Sequence, residues 1–98
     1  MRPLSVDLQD PDVRPYFFWD EDVTVGELRA AIAAPDGAAR DRLIGKMLRE
    51  ARDLDVWTFV TPTEVARLLP RLERRLGRRA AFWRFLIEGW QADGLLAR

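Results

Sequence analysis

The stretch Arg79–Ala92, Arg-Ala-Ala-Phe-Trp-Arg-Phe-Leu-Ile-Glu-Gly-Trp-Gln-Ala, holds the densest apolar and aromatic content of the chain. At helical spacing Phe82, Phe85, Leu86 and Gly89 share one face, and Trp83, Ile87 and Trp90 share an adjoining one. Only Arg84, Glu88 and Gln91 are left for water. A helix apolar over most of its circumference is ordinarily enclosed by its neighbours. The expectation is an all-α fold, a single compact domain of four or five short helices packed around this C-terminal helix. Phe85 then belongs to the core, where emptying an aromatic site costs about 3 to 5 kcal/mol.

Working back along the chain, Gly77 reads as a C-cap after one turn over Arg71 to Leu76. Thr61-Pro62-Thr63-Glu64 places Thr at an N-cap, Pro at the first helical position and Glu at the third. A short helix follows with Val65, Leu68 and Leu69 inward, limited by Pro70. Val56-Trp57-Thr58-Phe59-Val60 has strand chemistry, yet its only candidate partner is Phe17 to Trp19. A helical turn with Trp57 and Val60 inward is favoured, a short strand being the alternative.

From Ala38 to Asp53, Leu43, Ile44, Met47, Leu48 and Ala51 form the inner face of an amphipathic helix, with Arg40, Arg42, Lys46, Arg49, Glu50 and Arg52 outside. Thr24 and Glu27 have the form of a capping box and open a helix to about Ala33, ended by Pro35-Asp36-Gly37. At least two aromatics of Tyr16-Phe17-Phe18-Trp19 must plug the core to avoid a sticky surface. Residues 1–15, with Pro3, Pro11 and Pro15, read as an extended Pro-rich arm, mobile at its start, and residues 16–98 as the helical domain.

Ninety-eight residues support one core. The chain has neither Cys nor His, so thiolate and imidazole chemistry, the usual transition-metal ligands and every Ser-His or Cys-His arrangement are excluded. General acid-base work would fall to carboxylates alone, and the expectation is a non-enzymatic protein with no catalytic, cofactor or metal site. No apolar run reaches the roughly 20 residues of a membrane span, and the first residues lack the apolar core of a signal peptide. The chain is therefore expected to be cytoplasmic.

Net charge is zero but polarised. Residues 1–27 carry seven acids against Arg2 and Arg14, and residues 65–87 carry seven arginines against Glu73. The two regions could complement each other, or one could serve a partner. Arg67 to Arg84, on a short helix, a turn and a second helix, loosely resemble a helix-turn-helix whose basic residues hold phosphates. A solvated face on an Arg-rich protein explains the same residues. Asp20, Glu21, Asp22 and Glu27 read as turn and helix-start charges, their spacing matching no calcium loop. Among the aromatics, Trp83 and Trp90 lie seven residues apart on one stripe and are the candidates for partial exposure.

Tyr16-Phe17-Phe18-Trp19-Asp20, Asp55-Val56-Trp57, Leu69-Pro70 and the closing Phe82-Trp83 with Trp90 resemble a family of small uncharacterised helical prokaryotic proteins. Members of that family are often encoded beside nucleotidyltransferase-like toxins of the AbiE type. The resemblance spans about residues 16–92 and implies an antitoxin-like or accessory role with a protein partner, and no catalytic residues. The expected function is a small protein-interaction module with Arg71, Arg74, Arg75, Arg78, Arg79, Trp83 and Trp90 as partner-binding residues. The alternative is a DNA-binding regulator that uses Arg67 to Arg84.

Overall fold

The computed structural model describes residues 2–98 and is organised around the helix whose outer side reads as charged. Five α-helices form it: α1 (Val25–Ala33), α2 (Ala38–Glu50), α3 (Asp53–Val56), α4 (Pro62–Leu72) and α5 (Arg79–Ala92). One 3-10 turn, Tyr16–Phe18, precedes α1, and a second, Glu73–Arg75, links α4 to α5. A pair of two-residue parallel strands, β1 (Leu4–Ser5) and β2 (Arg14–Pro15), is the only sheet among the described residues. The chain is mostly helical, as expected.

The centre is α2 rather than α5. Every residue from Leu43 to Leu48 is buried, and α2 touches α1, α3, α5 and both 3-10 turns. Of α5 only Trp83 and Ile87 are fully buried, while Phe82 and Phe85 face out, Phe85 being 77% exposed. The expected packing about the C-terminal helix is corrected accordingly: α5 rests on α2 and α4 along one stripe, and its second aromatic face has no covering element. Arg40 and Lys46, expected outside, are buried because long aliphatic stems can cross apolar surface while the charged head finds a partner. Arg40 donates to Ile32 O, Asp36 and Glu64, and Lys46 Nζ sits 2.6 Å from Asp20 Oδ1.

Local capping signals read in the sequence account for two of the five helix starts, those of α1 and α4. Thr24 accepts from Glu27 N and Glu27 returns the bond, a complete capping box. Thr61 accepts from Glu64 N, with Pro62 in the first turn of α4. Pro70 does not limit that helix. Its ring removes one bond to the Ala66 carbonyl, but Leu69 and Leu72 are buried on either side and carry the helix on to Leu72. Gly77 and Gly94 adopt φ of 55° and 78°, the left-handed conformation that lets the chain turn before and after α5.

Residues 2–15 are extended for much of their length and lie against the helices. Val13 O and Pro11 O accept from Val25 N and Gly26 N, so the arm caps the N-terminus of α1 with its own carbonyls. A Cβ on Gly26 would lie 3.1 Å from Pro11 O, which makes the glycine a condition of that approach. Leu8 enters the core, and the buried Arg14 donates to Arg2 O, Phe18 O and Glu21 O. These carbonyls, with that of Trp19 at 3.5 Å, thus satisfy a cation that has no carboxylate partner among the described residues. Phe17 and Phe18 fill the core as expected, and the Val56–Val60 segment is not a strand: Val56 closes α3 and the residues after it form a turn, with Val56 and Val60 buried and Trp57 half-buried.

Candidate functional site

The arginines of α4, the following turn and α5 are not one surface. Arg67 donates to both Asp36 oxygens and both Glu64 oxygens at 2.6–3.0 Å, and Arg71 grips Asp41 through two bonds of 2.8 and 2.9 Å. These hydrogen bonds hold Asp36 down at a pKa of about 2 and also lower that of Glu64, while the guanidinium pKa values of Arg67 and Arg71 rise. The carboxylates come from the α1–α2 turn, α2 and α4. The N-terminal acids do not supply them. Arg84 pairs with Glu73 at 3.0 Å.

Arg79 turns inward, with its guanidinium 4.7 Å from the Phe82 ring centre and 5.4 Å from that of Trp83. Its Nε and Nη2 are buried and meet no hydrogen-bond acceptor among the described residues, so the aromatic faces stand in for one. Trp83, expected to be partly exposed, is fully buried, and its indole N–H donates to Leu48 O at 2.8 Å. Trp57 packs edge-on to Trp83 at 5.6 Å and tilted against Trp90 at 5.8 Å. Trp90, at the edge of this group, is half-buried as expected.

What remains at the surface is smaller and differently composed from the expected site. Phe82 and Phe85 are 37% and 77% exposed, and among the described residues Arg74, Arg75 and Arg78 make no ion pair. The sequence points Phe85 to the core because its face of α5 is as apolar as the Trp83 face. Periodicity alone does not say which of two apolar faces a fold will cover.

A second feature lies on α2. Arg42, Lys46 and Arg49, spaced four and three residues apart, line an open cavity of about 330 Å³ bordered by Asp20, Glu21 and Arg75. Arg42 pairs with Glu21 at 2.6 Å, and Lys46 with Asp20. The hydrogen bond from Lys46 holds the Asp20 carboxyl below its usual range. The signal for this cavity was present in the spacing of the three cations and in Gly45 among them, although the pattern also fits a solvated helix face.

Fold and surface together define a small helical domain that presents an aromatic-arginine face on α5 and a cationic pocket on α2. The chain matches no family model, no curated protein and no solved structure. No helix among the described residues is long and apolar enough to cross a membrane.

Proposed function

We propose that this chain is a small non-enzymatic interaction module that binds another protein through the outer face of α5. The observation that carries the proposal is the pair Phe82 and Phe85. Two large rings stand exposed on a helix whose other face is anchored by buried Trp83 and Ile87. Aromatic residues and arginine are enriched where proteins meet, and Arg74 and Arg78, free of ion pairs, precede these rings on the turn and at the start of α5. The family resemblance of the aromatic motifs supports an antitoxin-like or accessory role, with a nucleotidyltransferase-like toxin as the partner.

The test is affinity purification of the tagged chain from its native host, with and without nuclease, beside Phe85→Ala. A near-stoichiometric, nuclease-resistant protein partner that Phe85→Ala loses is the expected result. A wild-type chain that retrieves no protein overturns the proposal. Binding of DNA through Arg67 to Arg84 is the weaker reading, because phosphates would have to displace carboxylates already 2.6–3.0 Å from Arg67, Arg71 and Arg84. Such binding would decline steeply with salt.

A further inference from the structure

We propose that the cavity between α2 and the Glu73–Arg75 turn is a binding site for a phosphate monoester dianion carried by a small molecule. Gly45 supplies the first part of the argument. It lies buried in the middle of α2, where glycine is among the poorest helix formers, so its presence calls for a reason. A Cβ at Gly45 would stand 3.3 Å from Arg75 Cδ and 3.6 Å from Arg75 Cβ. The missing side chain is the bed on which the Arg75 stem lies, bringing it across α2 to the lip of the cavity.

Charge supplies the second part. Four cations line the cavity against two carboxylates. Arg42 and Lys46 are paired with Glu21 and Asp20. Arg49 bonds only the adjacent Glu50, which does not line the cavity, and Arg75 has no ion pair among the described residues. The excess of two positive charges favours a dianion over the single charge of a phosphodiester. Lys46 is only 7% exposed, so one cation of the set is held in place by the fold. Arg49 and Arg75, not held by the cavity's carboxylates, are the groups that would take the phosphate oxygens, while Arg42 and Lys46 stay on Glu21 and Asp20 and add to the positive field. The Lys46 ammonium also lies 5.3 Å from the ring centre of the exposed Trp19, so the Trp19 indole is close enough to Lys46 to serve as a reporter.

The test is titration of the isotope-labelled full chain with inorganic phosphate and with phenyl phosphate at constant ionic strength. It is followed by NMR at the Gly45 and Lys46 amides and the Trp19 indole. Dimethyl phosphate, a monoanionic diester, is the control. Saturable shifts confined to this face are expected for both dianions, with a dissociation constant around 1 mM or below, and none for the diester. Arg75→Ala is exposed and should leave the fold intact while weakening binding about tenfold, the usual scale for one charged hydrogen-bond partner. Gly45→Ala should also weaken it, by lifting Arg75 off α2, without loss of thermal stability, because alanine favours the helix. Shifts that rise linearly and spread over all arginines, equal response to the diester, or unchanged affinity in Arg75→Ala would each overturn the proposal.

Discussion

The indole N–H of Trp83 donates to the Leu48 carbonyl at 2.8 Å, inside the core and across 35 residues of sequence. In an unbroken helix that carbonyl would accept from Arg52 N. Here Arg52 N donates to the Tyr16 hydroxyl at 2.8 Å, so the two halves of one absent helical hydrogen bond are taken up by two aromatic side chains. This exchange ends α2 at Glu50, where the apolar pattern alone would run on to Asp53. Trp83→Phe keeps the ring but orphans a buried carbonyl, and should cost about 1 to 3 kcal/mol in urea denaturation. Trp83→Ala should cost about 3 to 5 kcal/mol. A change near zero in both would mean that Trp83 is a surface residue.

The starts of α1 and α4 were legible in the sequence because their signals are local. Thr24 with Glu27, and Thr61 with Pro62 and Glu64, need only neighbours within a turn, and each begins a helix where its cap places it. The site was less legible because it depends on which partners meet. Nothing local distinguishes Arg71, gripped by Asp41, from Arg74, which no carboxylate meets among the described residues. Likewise the end of α2 is set by Trp83 and Tyr16, which lie far from it in sequence.

Tyr16 should matter in proportion to the hydrogen bonds it organises. Its hydroxyl donates to Asp55 Oδ2 at 2.5 Å while accepting from Arg52 N. Tyr16→Phe removes both bonds and should lower stability by about 1 to 2 kcal/mol, read as a shift in the urea midpoint. Burial, and then the hydrogen bond to Asp55, raise the Tyr16 pKa above 10.0. The folded chain therefore keeps its proton where the unfolded chain loses it. The contribution is complete below the unfolded pKa and is lost as pH climbs through the folded one. Absorbance titration should find one tyrosine ionising late, and no such signal should remain in Tyr16→Phe.

Acid should weaken the fold through the cluster that joins the α1–α2 turn to α4. Asp36, whose ordinary pKa of 3.8 falls to about 2 mainly through its hydrogen bonds from Arg67, binds a proton less readily folded than unfolded. Its contribution is present above the unfolded value and disappears as pH falls from about 4 to about 2. Glu64, lowered by Arg67 and Arg40, adds in the same direction. Asp36→Asn should flatten the loss of stability across that range, and added salt should flatten it too, because the Asp36 and Arg67 side chains are partly open to water. An acid limb unchanged by Asp36→Asn would place the sensitivity in other carboxylates.

Phe85 separates stability from recognition. Its ring is 77% exposed, so Phe85→Ala should change the unfolding free energy by no more than about 0.5 kcal/mol, the usual range for surface positions. A core site would instead lose about 3 to 5 kcal/mol. Phe82, at 37% exposed and 5.1 Å from Trp83 between ring centres, should show an intermediate cost because part of its surface packs on that indole. If the outer face of α5 is where a partner docks, Phe85→Ala should abolish capture of that partner while leaving the melting curve unchanged. Thermal denaturation and pull-down performed on the same preparation measure the two effects together. Loss of both at once would return Phe85 to the core and remove the aromatic face from consideration as a docking surface.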